Sequence, residues 1–183
     1  MARLVLITGG TRSGKSEYAR ITAESIPGPR AFVATCLAID DEMRRRIRKH
    51  QESRSESFWE TIEEPFELAA ILRDRRQFNV FLIDCLTLWL NNHLYRAREK
   101  GQTLSENQVT VIAENLIEAC SSISGSAVLV TNEVGSGIVP ENQDARLFRD
   151  LMGICNHLVA RAADEVVLVT CGLPLKLKNG GII

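Results

Sequence analysis

Short, almost uninterrupted apolar runs alternate along the chain with longer stretches in which apolar residues recur every three or four positions. The runs Leu4 to Ile7, Ala31 to Thr35, Val80 to Ile83, Ala127 to Thr131 and Glu165 to Val169 are too short for buried helices. They are also too uniformly apolar for strands with one face in water, so they predict a sheet covered on both faces. Between them, helical spacing predicts helices from Lys15 to about Glu24, from Leu86 to about Ala97, and over Glu141 to Ala163, whose apolar stripe includes Phe148, Leu151, Met152, Cys155 and Val159. Ser105-Glu106-Asn107-Gln108 has the form of a capping box and opens a further helix with Val109, Ile112, Ala113, Leu116 and Cys120 on its core face. Pro65 suits the first turn of a helix over about 65 to 76, and Phe58 to Ile62 reads as a strand or extended segment. After Val169 the chain reads as an irregular tail containing Gly, Pro and Lys.

Strand, helix and strand within the first forty residues imply a right-handed parallel crossover. Five apolar strands alternating with helices predict an α/β fold of three layers, with a mostly parallel central sheet flanked by helices. A length of 183 residues suits one domain with one buried core, so residues 1–183 are expected to form a single domain.

Chemistry enters at the end of the first strand. Gly9-Gly10-Thr11-Arg12-Ser13-Gly14-Lys15-Ser16 is a complete phosphate-binding loop between a strand and a helix, which makes the fold P-loop NTPase-like. Glycine lets the backbone turn its N–H groups inward as a nest for a polyphosphate, and the helix directs its positive end at the same place. Lys15 would reach the β- and γ-phosphates, and the Ser16 hydroxyl would hold a Mg²⁺ bridging them. Asp84 closes an apolar strand downstream of this loop, the position of the second magnesium-binding residue. Asn132, Glu133 and the glycines after them would likewise reach the carboxyl edge of the sheet, where α/β proteins bind ligands. Arg146 and Arg149, near the start of the longest helix, would face the same edge.

With 22 basic and 23 acidic residues the formal charge is −1, so no global field draws the chain to nucleic acid or anionic lipid. No run approaches a membrane span and no leader pattern precedes the first strand, which predicts a cytoplasmic protein. Five scattered cysteines without a CxxC predict free thiols, and the three histidines show no ligand spacing for zinc. The density of Arg44, Arg45, Arg46, Arg48 and Lys49 around His50 stands out. Asp40 can cap a helix through this stretch to about Ser53, on which His50 and its cations form a reactive cluster or a solvated face. The residues alone thus describe a Mg²⁺-dependent enzyme using nucleoside triphosphates, and leave open another small-molecule kinase or a GTP-binding regulatory protein.

Several stretches together resemble the bifunctional adenosylcobinamide kinase and adenosylcobinamide-phosphate guanylyltransferase family of cobalamin biosynthesis. They are Thr8 to Ser16, Ala34-Thr35, Asp41-Glu42-Met43, Arg46-Ile47-x-x-His50-x-x-x-Arg54, Asp84 to Thr87, Thr131-Asn132-Glu133-Val134-Gly135-x-Gly137-Ile138-Val139-Pro140, and Arg146-x-Phe148-Arg149-Asp150. The resemblance implies phosphorylation of adenosylcobinamide by ATP or GTP. Transfer of GMP from GTP to adenosylcobinamide phosphate would follow, through a guanylyl group on His50. It also implies nucleotide contacts at Gly9, Gly10, Thr11, Arg12, Ser13, Gly14, Lys15 and Ser16, at Ala34, Thr35 and Cys36, at Gln51, Glu52, Ser53 and Arg54, and at Glu63 and Asp84. Ser16 and Asp84 would be the metal ligands and Lys15 would act with His50 in catalysis. A homotrimer with sites near subunit contacts is implied by the same resemblance.

Overall fold

The structure is a computed structural model and describes residues 2–37 and 59–180. The basic helix expected over 40 to 53, with His50, Gln51, Glu52, Ser53 and Arg54, lies outside the described residues. In chain order the described elements are β1 (Arg3–Gly9), α1 (Lys15–Glu24), β2 (Arg30–Ala34), β3 (Trp59–Glu63), α2 (Leu68–Asp74), β4 (Val80–Asp84), α3 (Leu86–Glu99), α4 (Glu106–Ser122), β5 (Ser126–Val130), α5 (Gln143–Ala162), β6 (Glu165–Thr170) and β7 (Leu173–Asn179). The strands form one sheet in the order β3-β2-β4-β5-β1-β6-β7, parallel except at the β6–β7 pair.

The uniformly apolar strands are buried because both faces are covered. Val5, Ile7, Phe32, Val80, Leu82, Val128 and Val130 point to the side carrying Ala19 and Ala23 of α1. Their neighbours Leu4, Leu6, Ala31, Val33, Phe81, Ile83, Ala127 and Leu129 pack with α2, α3, α4 and α5 on the other. This is the expected three-layer arrangement, with the period-2 alternation of a strand dividing each run between two cores.

The expected extended segment is the strand Trp59–Glu63, paired with β2. Three other expectations about elements change. The tail expected to be irregular is the antiparallel edge strand β7, which brings the sheet to seven strands among the described residues. Cys171 and Gly172, at φ 51° and 79°, make a two-residue turn that feeds β7 back along β6, and Pro174 is tolerated because β7 is at the edge. The helix expected from Pro65 begins at Leu68, since Glu64 Oε1 accepts the N–H groups of Phe66 and Glu67, both at 2.9 Å, and holds that stretch as a turn. The longest helix begins at Gln143 rather than Glu141, because Asn142 caps it by accepting the Ala145 N–H at 3.0 Å. The Ser105–Gln108 capping box forms as expected.

Glu165 ties three strands together at the end of the sheet opposite the phosphate loop. Its carboxylate takes Arg3 of β1 at 2.5 Å and Lys176 of β7 at 3.1 Å. Burial raises the carboxyl's pKa, but hydrogen bonds and charge from Lys176 and Arg3 outweigh that and hold it below the ordinary 4.5. A depressed folded pKa supplies stability that is complete above the unfolded value and disappears as the pH falls through the folded one. Both cations are half exposed, so the contribution is about 1 kcal/mol. Glu165→Gln is therefore expected to lower stability to urea by about that much at pH 7. The gap to wild type should close as the pH is lowered through the carboxylate range.

Candidate active site

The phosphate loop is shaped by close backbone packing. A Cβ on Gly9 would stand 2.3 Å from the carbonyl oxygen of Val169 in β6, so no other residue fits there. Arg12 (φ 56°) and Gly14 (φ 94°) are left-handed, and Gly14 is the N-cap of α1. The β6–β7 turn buttresses the loop from outside: the Gly172 N–H donates to Ser13 O at 2.9 Å, and a Cβ on Gly14 would meet Gly172 Cα at 3.3 Å. Lys15 is 9% exposed and its Nζ donates to Gly10 O at 3.1 Å. Burial lowers its pKa, opposed by nearby Cys85 and by the Asp84 carboxylate. The Ser13 hydroxyl is buried without a hydrogen-bond partner among the described residues. A phosphate oxygen seated in this nest would supply one.

Strand register brings the second set of candidates to the same place. Val130 pairs with Ile7 on one side and Asp84 on the other, Asp84 pairs with Ala34, and Ala34 pairs with Glu63. Glu63, Ala34, Asp84 and Ile7 thus form one row across the carboxyl edge. Residues in one row of a parallel sheet share a face, and this row faces the α1 side. Ser16, in the first turn of α1, lies on that side as well. A hydroxyl and a carboxylate are hard oxygen donors, so the pair fits Mg²⁺.

Thr35 and Cys36 follow the row. Thr35 is fully buried, and its hydroxyl both donates to Cys85 O and accepts the Cys85 N–H, each at 2.8 Å. Asn92 of α3 donates to Thr35 O at 2.8 Å and Pro65 O at 3.1 Å. Thr35 therefore locks the end of β2 to the chain just after Asp84, and its side chain is not presented to a ligand. Sequence reasoning missed Asn92 in this role. Its signal is a polar residue that stays buried on the inner side of α3. Burial pushes the Cys85 thiol up to about 11 and those of Cys120 and Cys155 up to about 12, which keeps all three protonated.

The Thr131 to Pro140 stretch is rooted in the phosphate loop. The Thr131 N–H donates to Ile7 O at 2.9 Å and the Glu133 N–H to Gly9 O at 3.1 Å. Thr87 accepts the Asn132 N–H at 2.8 Å, and Asn156 donates to Asn132 O at 3.1 Å, two further partners that the sequence did not reveal. Glu133 Oε1 accepts the Gly135 N–H at 2.6 Å, so this candidate makes a local turn beside the loop. Of the other two histidines, His157 is exposed on α5 and His93 is half-buried edge-on to Phe66 and Trp89. Burial and then the charge of Arg96 lower the His93 pKa.

Comparison with known proteins decides which phosphate-loop family this is. The model of the family described as cobinamide kinase / cobinamide phosphate guanyltransferase matches residues 5–177. The chain belongs to this family. It is 38% identical to the bifunctional adenosylcobalamin biosynthesis protein CobU of Escherichia coli, over 96% of this chain and 99% of that protein. It is 37% identical to the protein of the same name from Salmonella typhimurium, with the same coverage. It is 39% identical to the bifunctional adenosylcobalamin biosynthesis protein CobP of Pseudomonas aeruginosa, over 95% of this chain and 96% of the other.

In this cobinamide kinase / guanyltransferase fold, Thr35 acts on the site through Asp84 and Cys85. Thr35→Val keeps the shape and removes the hydroxyl, leaving the buried Cys85 N–H without its acceptor at a cost of about 1–3 kcal/mol. The expected result is that loss in equilibrium unfolding, together with a lower turnover and little change in nucleotide affinity. A nucleotide affinity that falls while stability holds would instead make Thr35 a ligand.

Proposed function

We propose that the chain performs both reactions for which its family is named, using one phosphate cradle for both. In the first, the aminopropanol hydroxyl of adenosylcobinamide attacks the γ-phosphorus of ATP or GTP. The bond to the β–γ bridging oxygen breaks, the nucleoside diphosphate leaves and the hydroxyl proton is lost. In the second, a nitrogen of His50 attacks the α-phosphorus of GTP and pyrophosphate leaves. A phosphate oxygen of adenosylcobinamide phosphate then attacks the guanylyl phosphorus, the P–N bond breaks, and adenosylcobinamide-GDP forms. The observation that carries this reading is the row through Asp84 at the carboxyl edge that ends in the Gly9–Ser16 nest, with the nest's buried Lys15 close enough to feel the charge of Asp84.

The backbone of Gly9 to Ser16 and the Lys15 ammonium offset phosphate charge where it grows in the transition state, in a site that α1, β6 and the β6–β7 turn keep narrow. Ser16 and Asp84 would hold Mg²⁺, which when bound supplies further neutralisation of phosphate charge. Ala34, Cys36 and Glu63 are assigned to nucleotide contacts by the family resemblance, which is supported by the place of Ala34 and Glu63 in the Asp84 row, and Thr35 would contribute through its backbone. Gln51, Glu52, Ser53 and Arg54 are assigned to the nucleotide by their match to the family motif. His50 rests on the same match and on its chemistry. The cations Arg44, Arg45, Arg46, Arg48 and Lys49 near it in sequence disfavour its protonation, leaving a neutral imidazole as nucleophile. Both half-reactions would be housed in one domain of a cytoplasmic homotrimer. No helix among the described residues is long and apolar enough to cross a membrane.

The test is incubation with GTP labelled at the α-phosphate followed by denaturing electrophoresis. Wild-type protein should carry label that acid removes and alkali spares, as a phosphoramidate does. His50→Ala should carry none and should form no adenosylcobinamide-GDP. Label that persists in His50→Ala, or that maps to His93 or His157, contradicts the assignment.

A further inference from the structure

The motif from Glu133 to Pro140 has no part in the chemistry above, yet it is built with care. At its tip Ile138 is 96% exposed and its neighbour Val139 62%, and Ile138 is the most exposed large apolar residue among those described. Such a pair is ordinary on a loose loop, but this loop is braced. Arg149 Nη2 donates to Gly135 O at 2.6 Å, and Arg146 Nη1 donates to Glu141 O at 2.6 Å and Pro140 O at 3.0 Å. Two arginines of one helix thus spend their charge on backbone carbonyls, which fixes an apolar tip in water. The root of the loop is equally fixed, through the Glu133 N–H on Gly9 O. Ile138 lies five positions beyond Glu133, a span of at most about 18 Å, so whatever rests on the tip stays within reach of the phosphate nest.

We propose that this loop is the seat of the corrinoid acceptor, an inference that rests on the function proposed above. The nucleotide is accounted for by the nest and the Asp84 row, and an apolar tip offers phosphates nothing. The acceptor is a large macrocycle with apolar faces and an amide-bearing rim, and it must lie across the carboxyl edge for its side arm to enter the nest. Ile138 and Val139 pack against an apolar face of the ring. Arg149 also lines a shallow cavity of about 630 Å³ beside the loop, and its Nη1 is buried without a hydrogen-bond partner among the described residues. Glu106 and Asp150 line the same cavity, so its potential suits a neutral amide carbonyl of the rim rather than a phosphate.

The test uses the full-length Ile138→Ser/Val139→Ser double variant, whose altered side chains are exposed. Binding of adenosylcobinamide is read in ultrafiltration through the corrinoid's own visible absorbance, alongside label transfer from α-labelled GTP and the mass of the assembly in solution. The expected result is corrinoid binding weakened at least about tenfold, from the loss of two apolar contacts, with the guanylyl adduct and the assembly mass unchanged. Arg149→Gln should weaken corrinoid binding in the same direction. Corrinoid affinity equal to wild type in both variants overturns the proposal, as does a change of assembly mass, which would make the tip a contact between subunits. A wild-type protein that binds corrinoid yet forms no adduct would strike the guanylyl mechanism and leave the seat standing.

Discussion

The structure depends on how closely the phosphate loop is packed against β6 and its turn. Gly9 passes within 2.3 Å, measured from the position a Cβ would take, of the Val169 carbonyl, and Gly172 holds Ser13 O from the far side. Backbone against backbone leaves no side chain to adjust, so the loop has one shape. That shape presents the nest, starts α1 at Lys15 and leaves the lysine in a narrow, poorly solvated place. β7 gains its purpose here as well, because without it the Cys171–Gly172 turn would have nothing to close.

From that fixed point the parallel register carries the rest of the site. Pairing of Val130 with both Ile7 and Asp84 sets the carboxylate at the height of the loop, and the same ladder extends to Ala34 and Glu63. Thr35, through both polar groups of Cys85, prevents the chain after Asp84 from drifting. Thr131 and Glu133 root the neighbouring loop on the strand that ends in the nest, and Thr87 of α3 holds Asn132 beside it. Three segments distant in sequence therefore meet by hydrogen bonding of main chain, with side chains completing the corners.

Much of this could be read from the sequence because the signals were local. The phosphate loop, the Ser105 capping box and the five uniformly apolar strands depend on neighbours a few residues away. The edge strand was lost because Gly172 and Pro174 read as breakers. The alternation Leu173, Leu175, Leu177 against Lys176 and Lys178 was nevertheless the period of a strand, and only an edge position admits the proline. The start of α2 was misplaced because Glu64, a side chain before the proline, takes the N–H groups a helix would use. Roles such as those of Asn92, Asn156 and Gly172 could not be read at all. Each is defined by a contact with a backbone atom between 24 and 159 positions away, which no spacing records.

The central claim is that one phosphate cradle serves both half-reactions, and Lys15→Ala tests it most directly. Kinase turnover with ATP or GTP and guanylyl adduct formation with GTP are measured on the same preparation, with its thermal unfolding as a check on folding. The account predicts that both rates fall together by about a hundredfold or more, since each loses the same buried cation from its transition state. A variant that keeps either reaction near its wild-type rate while losing the other would contradict it.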